Sequence, residues 1–335
     1  MNRVSKRRLV AGLSLAACAV WSGASSAADS AAPPPARPMS ELKVTATIPI
    51  AKTADWVKIT PTSVWIGSKG PFAVNEIDPQ TNHVITVAVP QDPCAGLAID
   101  ADNLWVPMCG AAPKLAKVDL KTRTLSAVFN VGPAGPEGGI AVGAGSVWLV
   151  TDKQGTLARI DPANGAVVAT VQLPPGSFNP VFSDGRIWVS RADGAELTVV
   201  DAATAKVVDH VAIGSHPRFL TAGAGAVWTL NQGDGSLSRI DVGGKRPVDT
   251  LQLRTPGPGG DIAYADGRVW TTMMKTPLTA VDAVHSVILC QWKGAGGDAI
   301  GVGHGSIWLT DLKAGTVLRI ALSDIPKECN AASPG

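Results

Sequence analysis

Residues 140–173 read IAVGAGSVWLVTDKQGTLARIDPANGAVVATVQL, and four short extended runs can be picked out of them. Ile140-Ala141-Val142 is apolar and ends in the turn Gly143-Ala144-Gly145. Residues 147–150 (VWLV), 156–160 (TLARI) and 166–173 (AVVATVQL) follow, separated by 152–155 (DKQG) and 161–165 (DPANG). Runs of β-branched residues, each stopped by Gly, Asp-Pro or Asn-Gly, predict an antiparallel meander of four strands. Helical periodicity sustained over three turns is absent from the chain after its first residues.

The unit recurs. A hydrophobic residue followed by tryptophan occurs at Val64-Trp65, Leu104-Trp105, Val147-Trp148, Ile187-Trp188, Val227-Trp228, Val269-Trp270 and Ile307-Trp308, at intervals of 40, 43, 40, 40, 42 and 38 residues. A period near 40 with four strands per repeat is that of a propeller blade. Neighbours on a strand point to opposite faces, so a Val-Trp pair needs both faces buried, as when blades stack around an axis. The tryptophans are therefore read as packing residues between blades. The last copy lacks its fourth strand, whereas residues 41–50 (ELKVTATIPI) look like a fourth strand without a blade. The sequence thus predicts an all-β, seven-bladed β-propeller of four-stranded antiparallel blades, with the N-terminal strand completing the last blade and closing the ring.

The pattern x-Val-Trp-x, Leu-x-Arg-Ile-Asp, Gly-x-Val-Val-x-Thr-Val resembles the YncE-type and YVTN-repeat β-propellers, best at residues 156–161 (TLARID) and 236–241 (SLSRID). More loosely it is similar to the streptogramin (virginiamycin B) lyase-like propellers. The resemblance spans nearly all of residues 41–322 and implies architecture, since one fold hosts many activities. The lyase branch implies a metal, a catalytic histidine and acidic partners on one face, and the motifs here contain no clear counterpart.

The first residues belong to targeting. Arg3, Lys6, Arg7 and Arg8 precede an apolar run from Leu9 to Trp21, and small residues lead to Ala27-Ala28. This predicts a signal peptide over 1–28, too short for a permanent span, and a periplasmic or secreted product. Leu15-Ala16-Ala17-Cys18 supplies the alternative, a lipoprotein anchored to the membrane through Cys18. A Pro-rich linker (29–40), the propeller (41–325) and a tail (326–335) follow. The signal carries four basic and no acidic residues, so 29 basic against 27 acidic residues becomes 25 against 27, a net charge of −2. A nucleic-acid partner does not fit that charge. A monomer is expected.

Beyond the signal stand Cys94, Cys109, Cys290 and Cys329. Even numbers in an exported chain suggest disulfides, and the repeat selects among the pairings. Cys94 leads into strand one of the second blade and Cys109 leaves its strand two, at the same end, which predicts Cys94–Cys109. Cys290 on the outer strand of blade six and Cys329 in the tail form the second predicted pair.

Loops leading into strand one and loops leaving strand two share one face of a propeller. That face is assigned Asp55, Trp56, Glu137, Phe178, Asn179, His216, Arg218, Asp261 and Asp298 from the first set, and Ser68, Lys69, Asp152, Lys153, Arg191, Asn231, Lys275 and Asp311 from the second. Trp56, expected to be exposed near the channel mouth, is a candidate for stacking on a ligand or for lining the wall. Asp55, Arg218, Arg191, Asn231, Asp261 and Asp298 are further candidates for ligand binding. His216 lies on this face, while His83, His210 and His285 fall on or beside outer strands and His304 in a turn on the opposite face. His216 with Glu137 is the candidate catalytic pair. No cofactor is evident, although the carboxylates have the oxygen chemistry of a Ca²⁺ or Mg²⁺ site. The function expected from these residues is an exported cell-envelope protein that binds or scaffolds through its loop face, with a small molecule, peptide or envelope protein as partner. A metal-assisted lyase or lactonase-like hydrolase at the channel mouth is the alternative.

Overall fold

The computed structural model describes residues 33–244 and 248–330. The signal peptide, including Cys18, and the last five residues of the tail lie outside them. From residue 33 the chain forms seven blades of four antiparallel strands around a channel, one of them extended by a short fifth, parallel strand. The inner strands are Thr53–Ile59, Ala98–Ile99, Ile140–Gly143, Ser177–Ser183, Pro217–Gly223, Ile262–Ala265 and Ile300–Gly303. Each tryptophan of the repeat sits on the next strand out, in Val64–Lys69, Asn103–Met108, Ser146–Val150, Arg186–Arg191, Ala226–Asn231, Arg268–Met273 and Ser306–Asp311.

Local chemistry explains the hairpins between strands one and two. Ala144-Gly145, Asp184-Gly185, Ala224-Gly225, Asp266-Gly267 and His304-Gly305 all have positive φ at both positions. Two left-handed residues in succession make the turn whose twist suits a tight hairpin, and glycine takes the second at no steric cost. The indole N–H of the next tryptophan locks the hairpin. Trp148 donates to Gly143 O at 3.2 Å, and Trp228 and Trp308 donate to Gly223 O and Gly303 O at 3.3 and 3.1 Å.

The seven repeat tryptophans are at most 3% exposed. Each buries on the order of 200 Å², worth about 5 kcal/mol of gross transfer free energy. Trp148 packs with Ile187, Val189 and Val200 of the following blade, and Trp105 with Ile140, Val147 and Leu149. The basic residue of Leu-x-Arg-Ile also acquires a role. Arg159, Arg239 and Arg319 stand directly across from Trp148, Trp228 and Trp308. Their guanidinium carbons lie 5.5, 5.7 and 4.7 Å from the ring centroids, within cation–π range.

Closure is by strand exchange between the ends of the chain. Val44–Pro49 pairs antiparallel with Thr316–Ala321 as the outer strand of blade seven. Part of the expected linker also enters the fold. Arg37–Pro38 pairs in parallel with Val287–Lys293, the outer strand of blade six, so ordered pairing begins before residue 41. Arg37 bridges Glu41 and Glu328 at 2.8 and 2.7 Å, tying this segment to the tail. Cys290–Cys329 fastens the tail to the same blade, and Cys94–Cys109 joins the ends predicted for them. Two disulfides indicate folding in an oxidising compartment rather than the cytoplasm. No helix among the described residues is long and apolar enough to cross a membrane.

Candidate functional site

Trp56 shapes the channel mouth. Asp55 pairs with Gly67 and Val57 with Ile66, so Trp56 is an extra, bulged residue between them, with φ of 53°. Its N–H donates to Asp55 Oδ1 at 2.8 Å, which holds the bulge. The bulge throws the indole across the axis, where it meets Phe219 of blade five edge-on at 6.2 Å. The ring packs beside Gly67 and Gly96, where a Cβ would sit at ordinary van der Waals distance, 3.5 and 3.7 Å. Trp56 is consequently 6% exposed. The expectation of an exposed aromatic is corrected: the side chain is a lid over the channel, because Phe219 covers what the bulge would otherwise expose.

Four carboxylates surround this lid. Asp261 Oδ1 accepts from Ile262 N at 2.8 Å and Oδ2 from Ile300 N at 3.3 Å, which ties blade six to blade seven. Asp298 Oδ1 accepts from Gly260 N at 3.3 Å, and Thr272 Oγ1 donates to the Asp298 carbonyl. Glu137, with φ of 67°, donates its N–H to Cys94 O at 2.8 Å and stands exposed at the rim. Burial, with the charges of Asp298, Glu137 and Asp261 added, pushes Asp55 up to about 8. Burial pushes Asp261 up to about 7, even though two backbone N–H groups favour its ionised form. Asp298 is raised chiefly by burial. Glu137 is raised by partial burial and then by Asp298, against the opposing pull of Arg218 and Lys69. The cause is common: carboxylates crowded at a half-dry mouth disfavour one another's charge.

The cations here are partly committed. Arg218 lies 4.5 Å above the Phe178 ring, and its carbonyl accepts from Asn179 Nδ2 at 2.7 Å and Ser190 Oγ at 3.0 Å. Lys69 pairs with Asp92 at 3.1 Å. Arg191 pairs with Asp193 and Glu196 at 3.2 and 3.4 Å, next to its own blade.

Asn231 and His216 stand apart from the carboxylates. Asn231 ends a strand, fully buried, and its Nδ2 donates to Ser236 Oγ and Ser238 Oγ, both at 2.9 Å, while Thr229 Oγ1 donates to its Oδ1. Both amide hydrogens are thus spent inside the blade, and the side chain is wholly buried. His216 is exposed, with φ of 52°, and its ring abuts Gly233. No hydrogen bond or ion pair among the described residues joins it to Glu137, Asp261 or Asp298.

A further residue escaped the sequence reading. Lys58, two positions after Trp56, lines the channel beneath the lid, and burial lowers its pKa while Asp261 partly opposes. A lysine between Val57 and Ile59 on an inner strand was the available signal. The channel has a cavity volume of about 380 Å³, walled by the inner strands of all seven blades. Among the described residues no three His, Cys, Asp or Glu side chains lie close enough together to hold one metal ion.

The molecule is thus a disulfide-stapled, seven-bladed propeller whose loop face carries an acidic mouth above a lidded channel. No protein-family model matches the sequence, and no curated protein matches it. Solved structures do. A catalytically inactive histidine-to-alanine variant of virginiamycin B lyase from Staphylococcus aureus, with quinupristin, shares the fold at a TM-score of 0.68 and 16% identity, over 82% of this chain and 98% of that one. BamB from Moraxella catarrhalis matches at a TM-score of 0.58 and 12% identity, over 84% and 99%. At such identities the likeness is one of fold.

Proposed function

We propose that this protein is an exported, periplasmic or secreted binding protein of the cell envelope, whose loop face takes a small molecule, peptide or envelope protein through a cationic group. The observation that carries the reading is the crowding of Asp55, Glu137, Asp261 and Asp298 around the lid, with Asp55 pushed up to about 8. A cation placed there relieves their mutual repulsion, so part of the cost of assembling the mouth returns as binding free energy. Arg218, flat on Phe178, limits the acidic surface on one side and adds selectivity. The YncE-type and YVTN-repeat resemblance agrees with a repeat that supplies a rigid platform.

The lyase or hydrolase alternative has the fold likeness to virginiamycin B lyase on its side, where loss of one histidine inactivates the enzyme. Here the histidine on the loop face is His216, exposed and unconnected to the carboxylates, which favours binding over proton transfer. Calorimetric titration with spermidine at low salt tests the reading. The wild-type protein is expected to bind, and Glu137→Gln/Asp298→Asn to bind about tenfold more weakly or worse, a loss of ~1.4 kcal/mol or more. Equal affinity in both, or no heat in either, refutes a cation site at the mouth.

A further inference from the structure

Beneath the lid, the channel contains two hydrogen-bond donors without acceptors. Trp56 Nε1 is buried and has no partner. Lys58 Nζ makes no hydrogen bond and no ion pair within 4.0 Å among the described residues. Both side chains belong to the wall of the same cavity of about 380 Å³. Lys58 is the sole cation among the described residues lining it, and Asp261 the sole carboxylate. Asp261 makes no ion pair with Lys58 within 4.0 Å; each of its oxygens accepts one backbone N–H, from Ile262 and Ile300, and its charge acts on Lys58 from a distance. The upper channel therefore presents two donors, Lys58 Nζ and Trp56 Nε1, that no acceptor among the described residues engages.

Around these donors the wall is largely apolar, with Leu97, Ile140, Val181, Leu220 and Ile262 contributing from five blades at the level of Val57 and Lys58. We propose that the channel under the Trp56 lid binds a small organic carboxylate with an apolar body, its oxygens taken by Lys58 and the Trp56 indole N–H. One ammonium and one neutral N–H suit a monoanion. A phosphate or sulfate dianion would bring more charge than the single cation answers and would place it against hydrocarbon. The volume falls in the range of small-molecule pockets, roughly 300–1,000 Å³. Partial desolvation at the channel wall lowers the pKa of Lys58, with Asp261 opposing, and no counterion among the described residues lies within 4.0 Å of its ammonium. Trp56 and Phe219 close the loop side, while Ile59, Ile99, Val142 and Tyr264 stay partly exposed towards the opposite face, which gives the ligand its way in. This site lies beneath the acidic mouth, with Asp261 on the border of both, and stands whether or not the mouth binds cations.

Benzoate is the probe, in calorimetry and in tryptophan fluorescence of the whole mature protein. Wild type is expected to bind it and to change its emission as an acceptor reaches Trp56. Lys58→Met is expected to weaken binding about tenfold or more, and Trp56→Phe, which keeps a ring lid but loses the N–H, severalfold. Lys58→Gln retains a neutral donor and is expected to fall between wild type and Lys58→Met, provided thermal melting shows each variant folded. Glu137→Gln/Asp298→Asn should bind benzoate as wild type does, and benzoate and spermidine should bind together. Benzoate binding that survives Lys58→Met unchanged, or its absence at millimolar concentration in wild type, overturns the proposal. Competition between benzoate and spermidine would also overturn it, by placing both at the mouth.

Discussion

Asp55→Asn is expected to remove a large part, roughly half, of the pH dependence of stability between pH 5 and pH 8. In the folded protein the Asp55 carboxyl is 8% exposed and pushed up to about 8, from an ordinary value of 3.8. Over this interval the unfolded chain has released that proton while the folded chain keeps it. The folded state then binds more protons, so stability is greatest at the acid end and falls as pH rises towards the folded-state value. The slope is ~1.4 kcal/mol per pH unit, which gives a loss of about 4 kcal/mol from pH 5 to pH 8. Asp261, raised to about 7, acts in the same direction. Carboxylates with lowered pKa, such as Asp78, Asp119 and Asp201, lose their contribution only at lower pH and leave this window clean. Asparagine keeps an oxygen for Trp56 N, so the bulge survives. The assay is urea unfolding of both proteins at several pH values, followed by tryptophan fluorescence. Wild-type stability that is flat or rising from pH 5 to pH 8, or an Asp55→Asn protein with the wild-type slope, refutes the reasoning.

Trp308→Ala, in the blade shared by both ends of the chain, should cost about 3–5 kcal/mol in the same urea assay, since the cavity cannot collapse between two sheets. Replacing Cys290 and Cys329 together by serine should lower stability by about 4 kcal/mol on loop-entropy grounds, and replacing Cys94 and Cys109 by about 3, for sequence separations of 39 and 15. Thermal melts with and without reductant measure both. Asn231→Ala strands the Ser236, Ser238 and Thr229 hydroxyls and should cost about 1–3 kcal/mol while leaving spermidine and benzoate binding intact. Removing residues 33–50 takes away the strand that pairs with Thr316–Ala321, and size-exclusion chromatography should show aggregates in place of the native species.

The ring was legible in the chain because its signals are local and repeated. A Val-Trp pair, a Gly-centred turn and an Asp-led turn each constrain a few neighbouring residues, and seven copies make the period plain. The fourth strand missing from the last blade and spare at the N-terminus declared the closure. The cysteine pairs followed, since a repeat of known register converts sequence position into spatial position.

The site followed less completely. Repetition placed Asp55, Glu137, Asp261 and Asp298 on one face, and the structure does gather them at the mouth. The fate of Trp56, Asn231 and Lys58 rested on contacts between residues far apart in the chain. Trp56 is a lid because a one-residue bulge points it at Phe219, more than 160 positions away in sequence. Asn231 is spent on three hydroxyls by a strand register that reading the loop could not supply. The sequence by itself determined the blades, their number and their closure, since those depend on periodic short-range patterning. Tertiary structure alone decided which polar groups at the axis are satisfied and which are left wanting a partner, since that depends on where seven separate strands meet.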